Sequence, residues 1–373
     1  MKRTTLLSAA TPLAVAAAAI LAVGDLNPPA GAVAATGKRL TEIEPRIALN
    51  ATNTPGIFDC VFLIAEPGSY YLTGNLQGVA GKHGIKVVSS NVKIDLNGFD
   101  VVGAAGMGPY DGILALGNPI ENINVRNGTV RGWGDEGLDL AAAQYSRVDD
   151  LTANGNVGDG IITGPLSIVR GCSANANSGA GIRTASGSTI ERCVAGFNVV
   201  ACILAGSTNS VTGCSAYASA STGILTGTSC NVTACTTSNN NGVGISVGNG
   251  SSVFDCTSRG NLTDGILASS ATLIRGNHCA FNGGGGDGAG IHVTSGDCRI
   301  EGNNCTGADR GIDVDATGNV ILRNTCSGNT TNWDIVAGNA FGPIVLTTAG
   351  AAVAGNTATS SLGSTDPNAN FTY

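Results

Sequence analysis

The sequence predicts an all-β solenoid of about twelve coils, most of them 21 residues long. Three observations carry this. A cysteine returns at Cys172, Cys193, Cys214, Cys235 and Cys256, each 21 residues after the last, and a fixed period in the twenties without a long apolar helical stripe marks stacked coils. A glycine followed by an aliphatic residue recurs in the same rhythm, at Gly84-Ile85, Gly112-Ile113, Gly137-Leu138, Gly160-Ile161, Gly181-Ile182, Gly223-Ile224, Gly244-Ile245, Gly265-Ile266, Gly290-Ile291 and Gly311-Ile312. Finally, 56 glycines with only 12% charged and 4% aromatic residues suit many tight turns between short strands.

The chain opens with an export signal over residues 1–34. Lys2 and Arg3 precede an apolar stretch from Leu6 to about Val23, and Ala32-Val33-Ala34 supplies small residues before the expected cleavage point. The protein is therefore expected outside the cell or in the envelope, and no later segment is long and apolar enough to span a bilayer. Residues 35–57 read as an extended lead-in, with Pro45 and Pro55 interrupting any helix. The solenoid is expected over 58–345. Phe58 to Leu72 holds two apolar runs split by Glu66-Pro67-Gly68-Ser69 and reads as an N-terminal cap, which exposed strand edges require.

Within each coil the glycine is expected to supply a left-handed turn into the strand, and the residues after it alternate inward and outward, as in Ile245-Ser246-Val247. Cys202 takes the glycine's place in one coil. A second short strand follows, of the form aliphatic-x-x-Cys, and in later coils Asn277, Asn303 and Asn324 replace its cysteine. An asparagine column at Asn156, Asn177, Asn198, Asn240 and Asn261, with Ser219 filling one step, reads as a ladder of amide hydrogen bonds between coils. Residues 346–373 form a tail and cap, with Phe371 and Tyr373 expected to fold back over the last coil.

Twelve cysteines in an exported chain raise the question of disulfides. The five in register read as inward-pointing small apolar side chains, and Cys60, Cys202, Cys230 and Cys298, off the register, are the better disulfide candidates. No Cys-x-x-Cys pair is present, which disfavours a zinc–thiolate site. The formal charge of −7 argues against a nucleic-acid partner, which needs clustered Lys and Arg.

The Gly-Ile register and the Asn and Cys ladders, with Val92-Lys93-Ile94-Asp95-Leu96-Asn97-Gly98 and Val125-Arg126-Asn127-Gly128-Thr129-Val130, resemble right-handed parallel β-helix proteins of the pectate-lyase-like superfamily over residues 60–345. The resemblance implies the fold. It does not imply one activity, because that superfamily holds polysaccharide lyases, hydrolases, epimerases, phage tailspikes and adhesins. The Gly-His-Gly of polygalacturonase-like members is absent, since the histidines are His83, His278 and His292, and so is the Asp-Pro-His of alginate-epimerase-like members.

What remains is a column of acids before the turn glycine on three successive coils: Asp111, Glu136 and Asp159, with Asp135 and Asp139 beside them. Carboxylates held that close share a proton or bind a cation, and an oxygen-rich cluster at Asp111, Glu136, Asp139 and Asp159 suits calcium. In lyases of similar fold, calcium neutralises a uronate carboxylate while a Lys or Arg removes the C5 proton. By that resemblance Asp159, Arg183 and Lys86 are the candidate catalytic residues. The competing reading is that Asp-Gly is a turn sequence, as the isolated Asp264 indicates. Coils are longer at both ends of one edge, so loops would flank a trough whose floor is Ile162, Arg183, Leu204, Leu225, Ser246 and Leu267, with Trp133 the one tryptophan near it. His292 lies on the same column and reads as a surface histidine. The expectation is a non-enzymatic exported protein that binds a polysaccharide or a surface protein, with a calcium-dependent polysaccharide lyase or related carbohydrate-active enzyme as the alternative.

Overall fold

Three corners, each set by one left-handed residue, turn every regular coil into a triangle. In the coil that begins at Ile161 these residues are Leu166 (φ 57°), Gly171 (φ 64°) and Ala176 (φ 54°), and they separate the strands Ile161–Thr163, Ile168–Arg170 and Ser173–Asn175. The computed structural model describes residues 45–373 apart from 285, 351 and 358; the export signal expected at 1–34 lies outside the described residues. Among the described residues all regular structure is strand.

In the regular coils the first strand belongs to a narrow sheet of fourteen strands, and the other two belong to a broad sheet that wraps the remaining faces; Ile120–Glu121 and Ala143–Gln144, in earlier coils, pair as a small sheet of their own. Pairing between coils is parallel and in register, for example Leu138↔Ile161, Ile161↔Ile182 and Ile182↔Ile203. The two strands beyond the twelve expected are Pro55–Ile57 and Cys60–Ile64, which pair antiparallel at the N-terminal end. Ile47–Ala48 also joins the broad sheet, beside Gly68–Tyr71. Part of the segment read as a lead-in therefore lies inside the first coil.

The core is three stacked columns. Ile85, Ile113, Leu138, Ile161, Ile182, Ile203 and their successors form the first and are fully buried, each worth roughly 1.5–3 kcal/mol relative to exposure. The turn glycines that precede them do not have positive φ, contrary to expectation. They are needed for close approach: a Cβ on Gly137 would lie 2.7 Å from the Gly160 carbonyl oxygen, and one on Gly160 2.6 Å from that of Gly181.

Each corner carries its own ladder, immediately after the left-handed residue. At the cysteine corner the backbone N–H of Cys235 donates to Cys256 Sγ (3.4 Å), and that of Cys256 donates to Asn277 Oδ1 (2.9 Å). Thiol and amide thus do the same job in one column. At the asparagine corner Asn156 Nδ2 donates to Asn177 Oδ1 (2.9 Å), and Asn177 Nδ2 to Asn198 Oδ1 (3.0 Å). The third corner stacks Ser146, Ser167, Ser188, Asn209, Cys230 and Ser251, each N–H donating to the next side chain. Thr272, Cys298, Asn319 and Asn339 continue that column.

This third ladder explains two cysteines that the 21-residue register left out. Cys230 and Cys298 are rungs of it, and all twelve cysteines are free and buried. The expectation that Cys60, Cys202, Cys230 and Cys298 are disulfide candidates is not met. Burial pushes the Cys202 thiol up to about 11, and its neighbour Cys172 pushes the Cys193 thiol up to about 12, so both remain protonated.

At the far end Asn370–Thr372 returns as a strand between Thr325–Ser327 and Ile344–Leu346. Asn370 completes the ladder that runs through Asn324, accepting from its N–H at 2.9 Å, while Trp333 Nε1 donates to Thr372 Oγ1 (2.8 Å).

Candidate functional site

The residues before the turn glycines form a continuous column on the narrow sheet's edge: His83, Asp111, Glu136 and Asp159. Parallel register makes them neighbours, because Ile113 pairs with Leu138 and Leu138 with Ile161. Asp111 and Asp159 are only 5% and 4% exposed. Each of these buried aspartates is held by the coil that follows: Asp111 Oδ1 accepts the Glu136 N–H (3.0 Å) and Asp159 Oδ1 the Ala180 N–H (2.5 Å). The turn-type hydrogen bonding expected of Asp-Gly is thus made between coils.

Asp111, Glu136 and Asp139 converge, each offering an oxygen within 4.8 Å of the others. Burial, then the neighbouring Asp135 and Asp111 carboxyls, push the Glu136 carboxyl up to about 8. Burial likewise raises Asp139, and the charges of Asp111, Asp135 and Asp159 add to it. Such an all-oxygen set fits a hard cation such as Ca²⁺, which would replace the shared proton.

Asp159, expected in this set, is turned away from it. Its carboxylate is bound by Arg183 through Nε and, at 3.3 Å, a terminal nitrogen, and this pairing raises the arginine's pKa further. Lys86 is likewise engaged, with Nζ 2.6 Å from Asp59. It lies on the same outward column as Arg183 but four rungs away, through Leu114, Asp139 and Ile162. The structure therefore brings together Asp111, Glu136 and Asp139, sets Asp159 with Arg183 beside them, and leaves Lys86 apart.

The expected trough floor is one column in register: Ile162, Arg183, Leu204, Leu225, Ser246 and Leu267, all half-buried. Val157, Val199 and Leu262 add exposed apolar surface along the adjoining corner. Trp133 is no part of this surface. It is fully buried, with Nε1 donating to the Val101 carbonyl (3.1 Å).

Further along the column the structure assembles a second cluster that sequence reasoning missed. His292 Nδ1 is 3.3 Å from Asp264 Oδ2, and Nε2 is 3.0 Å from Asp315 Oδ2. The Asp264 hydrogen bond above all, then Asp315, pushes the imidazole up to about 9. His292 is therefore not an unpartnered surface residue. Asp264 repeats the Asp159 arrangement, with Oδ1 accepting the Ala289 N–H (2.8 Å), and the clue available in sequence was its place in the same column before a turn glycine.

The architecture is matched from outside. The family model described as "Right handed beta helix region" matches residues 222–364. The chain is a right-handed parallel β-helix. Among solved structures, this β-helix is similar to a mutant tailspike protein of E. coli bacteriophage HK620 in complex with pentasaccharide, with TM-score 0.55 and 13% identity over 89% of this chain and 79% of that one. It is also similar to the Azotobacter vinelandii mannuronan C-5 epimerase A-modules AlgE6, with TM-score 0.53 and 14% identity over 79% and 86% of the two chains, and AlgE4, with TM-score 0.52 and 13% identity over 79% and 87%. No curated protein sequence matches the β-helix.

Proposed function

We propose that the β-helix is exported and binds an acidic polysaccharide along the outward column of its narrow sheet, with calcium held by Asp111, Glu136 and Asp139 as the bridge to a sugar carboxylate. The observation that carries this reading is the convergence of those three carboxylates at one end of a half-buried aliphatic column. Three partly desolvated acids are unstable as neighbours without a cation, and a uronate presents the carboxylate such a cation would take. The β-helix shares its fold with a tailspike bound to a pentasaccharide and with mannuronan epimerase modules, which supports a glycan over a protein. Export rests on the signal read at residues 1–34, and sequencing the N-terminus of the secreted protein tests for cleavage after Ala34.

Binding without cleavage is favoured because the two side chains that would have to act as the base, Arg183 and Lys86, are closed into ion pairs with Asp159 and Asp59. Electrophoresis through gels containing polyuronate, with and without calcium, tests the reading. Calcium-dependent retardation that is lost in Asp111→Asn and Asp139→Asn is expected. Equal mobility at every calcium concentration, or retardation unchanged in both variants, would refute it.

A carbohydrate-active enzyme is the second reading, and Glu136 favours it, because a carboxyl pushed up to about 8 can donate a proton near neutrality. Ultraviolet absorbance of unsaturated product from polyuronate, abolished in Asp159→Ala and Arg183→Ala with the fold intact, would establish the lyase form of it.

A further inference from the structure

We propose that His292, Asp313 and Asp315 bind a divalent first-row transition-metal ion, of the zinc class, in a site separate from the carboxylate cluster at Asp111. The three offer ligand atoms within 4.8 Å of one another. They face a cavity of about 210 Å³ lined also by Asp287, Arg310 and Asp334. His292, Asp313 and Asp334 are consecutive residues of the outward column, one per coil, so the sheet itself fixes their spacing.

Two features separate this cluster from an ordinary surface ion-pair network. The first is Asp313. Its side chain is only 9% exposed and lines the cavity, yet it makes no hydrogen bond among the described residues; its contacts are long, 4.0 Å to His292 Nε2 and 3.5 Å to Arg310. A carboxylate so buried ordinarily collects hydrogen bonds, and here its two long contacts are both to groups that line the cavity. The second is the support behind the imidazole. Asp264 is 8% exposed, fixed by the Ala289 N–H, and 3.3 Å from Nδ1. A buried carboxylate that accepts from one ring nitrogen aims the other at a metal, and it raises ligand basicity. Nε2 then faces Asp313 and Asp315.

Imidazole with two carboxylates selects a borderline ion over calcium, which takes oxygen alone. Arg310 lines the same cavity, with its guanidinium shared among Asp287, Asp334 (3.0 Å) and Asp313 (3.5 Å), so an ion on Asp313 takes over only the longest of these contacts and leaves the arginine its two shorter partners. An ion entering the site displaces one proton from Nε2 and leaves the Asp264 contact in place.

The test is calorimetric titration of Zn²⁺ into chelator-treated full-length protein held in excess calcium, so that the Asp111 cluster is occupied. One equivalent of Zn²⁺ is expected. His292→Gln and Asp313→Asn should abolish it, Asp264→Asn should weaken it about 10–100-fold, and Asp139→Asn should leave it unchanged. The melting temperature of each variant without metal establishes that it is folded. No zinc binding by the wild-type protein, or zinc binding that survives in folded His292→Gln and Asp313→Asn, overturns the proposal; neither result bears on polyuronate retardation, which depends on the other cluster.

Discussion

Ser219 makes room for Cys202. In neighbouring coils the ladder asparagine lies against the turn glycine, so closely that a Cβ on Gly181 would be 2.5 Å from Asn198 Nδ2 and one on Gly223 2.7 Å from Asn240 Nδ2. In the coil between, both members change together: cysteine replaces the glycine, and serine the asparagine. The space one side chain gives up is taken by the other.

Ser219→Asn alone should therefore overpack the coil and cost about 1–3 kcal/mol. Adding Cys202→Gly should restore the regular pair and recover most of that loss. Chemical denaturation of the two single variants and the double variant measures the coupling, and additive effects would show that the residues are independent.

Cys230 is a rung, and a rung can be replaced by another of the same kind. Its sulfur accepts the Asn209 N–H at 3.4 Å, the task serine performs at 188 and 251 of the same column. Cys230→Ser should be nearly neutral, whereas Cys230→Ala should cost about 1–3 kcal/mol by leaving that buried N–H unpaired. Thiol titration should find all twelve cysteines unreactive in the native protein and reactive after unfolding.

Stability should fall as pH rises through the range between the unfolded and folded values of Glu136. Its carboxyl is raised from the ordinary 4.5 to about 8, so the folded protein holds a proton that the unfolded chain releases. The contribution is fully present below about pH 4.5 and lost by about pH 8. Glu136→Gln should flatten this slope, and millimolar calcium should reverse it at pH 8 if the cluster binds the ion. Melting temperatures at pH 5 and pH 8, in chelator and in calcium, measure both effects.

Deleting residues 366–373 should expose the last coil. Asn324 loses the acceptor for its N–H, Trp333 loses Thr372, and the Thr325–Ser327 edge opens to pairing with other chains. Light scattering on warming should show aggregation well below the temperature at which the full chain aggregates.

The coil stack was legible because the isoleucine column and the cysteine step repeat at one spacing with one residue type. The third ladder was not, because Ser188, Asn209, Cys230 and Ser251 share a hydrogen-bonding task without sharing an identity. The acid column was legible too, since register alone makes Asp111 and Glu136 neighbours. Which acids converge was not: Asp159 turns to Arg183, and Asp139, from the adjoining strand, takes the third position. Side-chain direction and pairing decide that, and spacing does not encode them. Trp133 shows the same limit, since a tryptophan beside a trough can as well be core.

The two clusters share one outward column, and the register from Asp139 through Ile162, Arg183, Leu204, Leu225, Ser246 and Leu267 to His292 sets them seven rungs apart, about 34 Å. That distance is quantised. Inserting or removing one 21-residue coil between them would change it by about 4.8 Å while leaving both sets of ligands untouched, so the span a bound chain must bridge is a countable property of the gene.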